Sequence, residues 1–341
     1  GYDVEVHEVE AGRFNVVARS GDGPVDGEPA GGRRLILNGH LDTVGVEGMA
    51  DDPFAGDLRD GMVWGRGACD MKGGLAIILA TAAALSPRGK DGSAPSPGEL
   101  VVALTADEEH ASVGMQRFVE TGWRAHGAVV CEPTSLTVMP AHKGFLWIDG
   151  TFRGRAAHGS RPEKGVDAIL HAGQFLAALM DLETDLTLGE PHPLLAFPSF
   201  HAGTIEGGTA PSVYPAECRL VLERRTLPGE GAEDAFRPFA EVLGSLRHSV
   251  EDLDATLEPG LFRPGTEVPL EDPLVRTLLA AMEGEGVAPN VEGMTAWVDA
   301  AFLNEAGIPA VCFGPGSIAQ AHSAQEWVPV DDLETGARVL T

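Results

Sequence analysis

Asn38-Gly39-His40-Leu41-Asp42-Thr43-Val44 closes an apolar run, Leu35-Ile36-Leu37, and Gly65-Arg66-Gly67-Ala68-Cys69-Asp70-Met71-Lys72-Gly73-Gly74 leads into an apolar helical pattern. The first stretch puts a histidine and an aspartate two residues apart at a predicted strand end. Their side chains point the same way if the chain there is extended. The second stretch sets one aspartate, Asp70, in a glycine-rich turn. Further on come Thr105-Ala106-Asp107-Glu108-Glu109, Cys131-Glu132-Pro133-Thr134 and Ala321-His322-Ser323. Each lies at the end of a predicted strand or in the loop after one. Imidazole and carboxylate are the ligands of zinc and similar divalent ions. Five such groups hold two ions when one carboxylate bridges, an arrangement that splits amides with an activated water.

Working outward, the strand-length runs Leu35–Leu37, Leu100–Leu104, Ala128–Cys131 and Ala310–Phe313 alternate with longer helical patterns. That is the rhythm of an α/β sheet. Ligands of such sheets bind beyond the carboxyl ends of the strands, where His40, Glu108, Glu109 and Glu132 fall. His322 follows the fourth run after the turn Gly314-Pro315-Gly316. The middle of the chain reads differently, with strand-like Phe145–Phe152 and Cys218–Glu223 and helix-like Val166–Met180 and Ala232–Leu246. A Pro/Gly-rich passage, Pro259–Pro273, follows. These patterns predict residues 1–143 and 264–341 as one discontinuous domain with a central, mostly parallel sheet flanked by helices. Residues 144–263 are predicted as an inserted, smaller α+β domain. Gly21–Gly32 and Ser86–Gly98 read as surface loops.

A chain of 341 residues exceeds one ordinary core, in keeping with two domains. Net charge of −27 argues against nucleic acid or an anionic membrane as partner. The longest apolar segment, around Leu75–Leu85, is too short to span a bilayer. No basic leader with a cleavage site opens the chain, so no signal peptide is expected. Cys69, Cys131, Cys218 and Cys312 form no CxxC pair and are expected as buried, reduced thiols of a cytoplasmic protein. Gly65 and Gly67 make no nucleotide fingerprint, because Asp70 stands at the sixth position of GxGxxG and no Walker Lys-Ser/Thr pair follows. No G-x-S-x-G nucleophile elbow is present.

In order, H-x-D, G-R-G-x-x-D-x-K-G-G, D-E-E, E-P-T and A-H-S resemble the motifs of the M20 metallopeptidase family, whose members include deacylases of the acetylornithine deacetylase and succinyl-diaminopimelate desuccinylase type. The resemblance covers nearly the whole chain. It extends to Gly154-Arg155-Ala156-Ala157-His158-Gly159-Ser160-Arg161-Pro162 and Gly165-Val166-Asp167-Ala168-Ile169, which resemble the family's small lid or dimerisation domain. By the same resemblance the family's first helix is expected before Gly1, and its last helix is expected to continue past Thr341.

The resemblance implies two divalent ions, zinc foremost, with cobalt or manganese as alternatives. One takes Asp70, His40 and Glu132; the other takes Asp70, Glu109 and His322. It makes Asp70 the bridge, Glu108 the general base and Asp42 the partner of His40's second ring nitrogen. An N-cap for a helix starting near Met71 is the other reading of Asp70, and both can hold. His158 is implied as the stabiliser of the oxyanion, often reaching in from the partner subunit of a homodimer formed through the lid; an exposed loop histidine is the plain alternative. Arg225 resembles the lid arginine that grips a substrate carboxylate, or it is a surface strand arginine. Asp107 is expected to have a local structural role, and His110, His142 and His201 are given none. Ser212 departs from the pattern, because many members carry Asn there. The activity implied is hydrolysis of a small N-acyl amino acid. A dipeptidase or carboxypeptidase of the same family is second, and a non-catalytic relative or a dinuclear phosphoesterase is more remote.

Overall fold

The computed structural model describes residues 1–21, 23–27, 32–85 and 98–341. Most of the predicted loop Ser86–Gly98 and part of Gly21–Gly32 lie outside the described residues. The chain divides into two compact units. One comprises Gly1–Ala141, Glu267–Gly293 and Val298–Thr341; the other comprises His142–Thr266 and Met294–Trp297.

The first unit is built on a sheet whose centre is parallel. Strand Arg34–His40 pairs in parallel with Glu99–Thr105 on one side and Gly127–Val130 on the other, and Gly127–Val130 pairs in parallel with Ala310–Cys312. These are the four runs read from the sequence. Each is almost wholly buried, as expected of strands covered on both faces. The flanks are antiparallel. Arg13–Arg19 joins Glu99–Thr105 and is followed outward by Asp3–Glu10, while Val138–His142 joins Ala310–Cys312. Helix Gly73–Ala84 buries Ile77 and Ile78, and helix Pro273–Gly284 buries Val275, Leu278 and Met282, in a core with Leu37, Val102, Val129, Val311 and Phe313. Burying each such side chain is worth about 1.5–3 kcal/mol. At the amino ends of the strands Arg34 and Glu99 form a buried ion pair at 2.8 Å. The carboxyl ends carry the motif residues.

In the second unit, strands run in the order Ser199–Gly207, Glu217–Thr226, Gly144–Arg153, Asp254–Arg263, all antiparallel. Gly144–Arg153 alternates between buried and more exposed residues along its length. Its inward residues Leu146, Ile148 and Phe152 meet Phe175 and Leu179 of helix Ala168–Asp185 and Phe239 and Leu243 of helix Ala232–Ser249. Asp167 caps the first helix by accepting from Leu170 N at 2.9 Å. Pro259 and Gly260, which open the Pro/Gly-rich passage, lie inside strand Asp254–Arg263. The strand is the sheet's edge, and its register shifts between Pro259 and Phe262. An edge and a bulge are where a residue without an N–H is tolerated.

His142, in the second unit, is buried. A carbonyl only accepts, so Nδ1 must donate to Lys143 O (3.0 Å), which leaves Nε2 to accept from Thr266 Oγ1 (2.8 Å). Both bonds suit the neutral ring, and burial holds its pKa down at about 4. The unfolded chain therefore takes up this proton first. The stability due to the neutral ring is complete above pH ~6.5 and is lost as pH falls toward 4, on the order of 3 kcal/mol in all. Urea unfolding at pH 7 and pH 5 is expected to show a smaller acid loss in His142→Asn, which keeps a donor but does not titrate. Equal losses in both proteins would remove His142 as a source.

Candidate metal centre

The glycines of the second motif are there for the backbone. Gly67 adopts φ +77°, and a Cβ on it would strike the Thr43 methyl group. Gly74 packs so closely that a Cβ would run into the carbonyl oxygen of Cys131. Between them, Ala68–Lys72 is an irregular turn, non-helical at Asp70 and Met71, and the α-helix begins only at Gly73 without a side-chain cap. Asp70 is therefore not an N-cap. Its carboxylate turns instead to the carboxyl ends of the strands.

There it stands between two histidines. Asp70 Oδ1 is 2.9 Å from His40 Nε2, and Oδ2 is 3.4 Å from His322 Nε2. His322 Nε2 also lies 3.0 Å from Glu109 Oε2. Ligand atoms of His40, Asp70 and Glu109 all fall within 4.8 Å of one another. The sheet delivers these groups: His40 is the last residue of its strand, Glu108 and Glu109 follow Glu99–Thr105, and Glu132 follows Gly127–Val130. Glu132 is buried, and Glu108 and Glu109 are partly so.

Electrostatics tie the group together. Burial, then Glu132, hold the Glu108 carboxyl well above the usual carboxylate range. Burial and Asp70 push Glu132 up to about 8. Glu109 is raised by burial and Asp70. Asp70 goes the other way: burial opposes its charge, but hydrogen bonds to His322 and His40 outweigh that and hold it low. For His40, burial disfavours the charged ring, yet Asp70, Glu132 and Glu108 raise it well above its ordinary value. His322 is raised by its bond to Asp70.

The tautomer of His40 tests the fit to a metal. Its Nδ1 lies 3.0 Å from the carbonyl oxygen of Asp42, so Nδ1 carries a proton. Nε2 then faces Asp70 Oδ1, and two electron-pair donors meet unless a proton or a cation lies between them. His322 Nε2 faces Asp70 Oδ2 and Glu109 Oε2. Imidazole nitrogens interleaved with carboxylate oxygens suit zinc and its neighbours among divalent ions, so the residues fit.

One assignment reads differently in the structure. Asp42 meets Nδ1 of His40 through its main-chain oxygen, while its carboxylate Oδ1 is 3.8 Å away. That carboxylate instead accepts the amides of Asp107 (2.8 Å), Glu108 (3.2 Å) and Glu109 (3.1 Å) and so shapes the loop that bears the paired glutamates. Asp107 is buried, ion-paired with Arg13, and its carbonyl accepts from Ala111 and Ser112. His158 and Arg225 belong to the second unit. Exposed His158 accepts from Ser160 N at Nδ1 (3.2 Å), which places its proton on Nε2. Arg225 Nε pairs with Glu223 at 2.7 Å, and its guanidinium lies 5.7 Å from the centre of the Phe145 ring. The four cysteines are buried and unpaired.

Two residues were missed. Glu326 is buried and hydrogen-bonded to the turn that carries Asp70. It lies four residues after His322, and only that spacing hinted at it. Asp299 is buried, with Oδ1 unpartnered and Oδ2 3.5 Å from Thr105 Oγ1. It sits in Val298-Asp299-Ala300, which has no metal-ligand spacing.

The chain matches the family model "Peptidase family M20/M25/M40" over residues 36–341. It is 35% identical to the acetylornithine deacetylase of Myxococcus xanthus and 34% identical to that of Erwinia tasmaniensis, each match covering 96% of this chain and 82% of the relative. Among solved structures it is similar to an aminopeptidase, PepT, of Bacillus cereus, with a TM-score of 0.78 at 22% identity over 100% of this chain and 87% of that one. It is also similar to a dinuclear metal-binding M20 peptidase of Bacillus subtilis, with a TM-score of 0.70 at 17% identity over 98% of this chain and 85% of that one. The fold and the site define a metal-dependent hydrolase of amide bonds. The chain belongs to peptidase family M20/M25/M40.

Asp299 gives this site a pH signature in metal-free protein. Burial is the largest cause that raises its carboxyl to about 7. The folded state thus holds a proton that the unfolded chain releases near pH 4. Stability due to the neutral acid is present at low pH and is lost as pH rises toward 7. In chelator, unfolding free energy is expected to fall between pH 5 and pH 8, and to fall less in Asp299→Asn. Identical pH slopes would show that Asp299 is already ionised.

Proposed function

We propose that the chain removes the acyl group from a small N-acyl-L-amino acid, using two divalent ions, zinc foremost. The observation that carries this reading is Asp70, whose two oxygens each face a different histidine, as a bridging carboxylate requires. His40 and Glu132 would complete one ion's ligands, and Glu109 and His322 the other's. Bound there, the ions supply Lewis acidity at neutral pH.

The chain's own groups carry the proton and hold the substrate. Glu108 takes a proton from the attacking water and returns it to the leaving amine, and burial makes it a stronger base than an ordinary carboxylate. Asp42 fixes Glu108 through its backbone amide. His158 donates from Nε2 to the developing oxyanion. Arg225, its Nε fixed on Glu223, grips the substrate carboxylate with its terminal nitrogens.

We read the second unit as the lid and the homodimer contact. Its edge strand Ser199–Gly207 is exposed along nearly its whole length and, among the described residues, pairs on one side only, with Glu217–Thr226. No helix among the described residues is long and apolar enough to cross a membrane. The unpaired thiols support a reducing, cytoplasmic setting. The acetylornithine deacetylase relatives favour an acetylated amino acid. A peptidase of the same family is the second reading, favoured by the structural likeness to an aminopeptidase.

Comparison of kcat/KM for N-acetyl amino acids, their carboxamides and unblocked dipeptides tests the assignment. The free-acid N-acetyl compounds are expected to be the best substrates. Equal turnover of the carboxamide removes the Arg225 anchor, and a preference for dipeptides moves the enzyme to the peptidase reading. Glu108→Gln is expected to keep fold and metal but to lose roughly 10²–10⁴-fold in kcat. Near-normal turnover by that variant would show that Glu108 is not the base.

A further inference from the structure

The turn that carries Asp70 is folded around a second carboxylate. Glu326 comes from the loop just before strand Trp327–Pro329 and is 1% exposed. Its Oε1 accepts the backbone amides of Cys69 and Asp70, each at 3.0 Å. Its Oε2 accepts Gly67 N at 2.9 Å and the Arg66 guanidinium at 2.7 Å. Its own carbonyl accepts Gly65 N at 3.1 Å. Every oxygen of the residue is thus committed to Gly65–Asp70.

We propose that Glu326 is a positioning residue for Asp70, and that its negative charge is what holds the bridging carboxylate's backbone where both histidines reach it. This rests on the two-ion reading of the site. The physical case has three parts. Residues 68–72 are irregular, so the helical hydrogen-bond ladder does not fix Asp70. A carboxylate can accept four hydrogen bonds and donate none, which matches four donors converging on it. Bonds to an ionised acceptor are roughly twice as strong as neutral ones. Arg66 balances the buried charge, and its Nε is anchored on Gly45 O at 2.9 Å, so the cradle is not free to rotate.

Glu326→Gln separates this from a packing role. The amide has almost the same volume, but one of its two ends is a donor and must face N–H groups. Zinc affinity of the purified full chain, measured by chelator competition, is expected to weaken about 10–100-fold. Amide exchange at Gly67, Cys69 and Asp70 is expected to speed up. Glu326→Asp, which keeps the charge but draws it back by a methylene, is expected to lose less. Glu99→Gln, in the buried pair with Arg34 at the other end of the strands, is the structural control: it is expected to lower stability and leave zinc affinity unchanged. If Glu326→Gln does not fold, Glu326→Asp carries the test. Zinc affinity equal to that of the unaltered protein in whichever variant folds overturns the proposal alone. Failure of the unaltered protein to bind zinc overturns the two-ion reading, and the proposal with it.

Discussion

Carboxylates brought together out of water are the constraint on which the rest of the first unit depends. Asp70, Glu108, Glu109 and Glu132 repel one another, and Glu132 is pushed up to about 8. The fold has to hold them against that repulsion. It does so by placing each at the carboxyl end of a parallel strand or in the turn beside it, anchored by an apolar core that includes Leu37, Val129 and Val311. The two histidines supply the only imidazoles facing Asp70 in the described site, and their raised basicity measures how strongly the site attracts positive charge.

Backbone amides solve the remaining problem, which is shape. The two loops that bear the acids are irregular, so neither helix nor sheet bonds define them. Asp42 collects the amides of residues 107, 108 and 109, and Glu326 collects those of 67, 69 and 70. In both cases the carboxylate of one residue organises the peptide units that carry another acid of the site. The amide donors also favour the ionised form of these two acids.

The four parallel strands were legible because a strand buried on both faces must be a continuous apolar run, and Leu35–Leu37 or Val101–Val102 leave no other reading. The outer hairpin, Asp3–Glu10 with Arg13–Arg19, was not read, because its first strand is polar and exposed and shows little hydrophobic signal. Strand Asp254–Arg263 was hidden by Pro259, which an edge strand tolerates. At the site, motif spacing pointed to the groups that face Asp70. It could not reveal that Asp42 would use its carbonyl on His40 and its side chain elsewhere, since both choices satisfy H-x-D. Asp299 and Glu326 act through contacts far apart in sequence, and a single acid in an ordinary context carries no local mark.

Substrate choice has to come from side chains rather than from the fold. The structures of similar fold include an aminopeptidase, a carboxypeptidase and a dipeptidase by their own descriptions. One architecture therefore accompanies several substrates. What differs is the flank of the scissile bond: a free amine in one case, an acyl group and a carboxylate in another. In the second unit Arg225 is oriented by Glu223, which itself accepts from Trp147 Nε1 at 3.1 Å. A guanidinium oriented in advance loses little entropy when a carboxylate binds it.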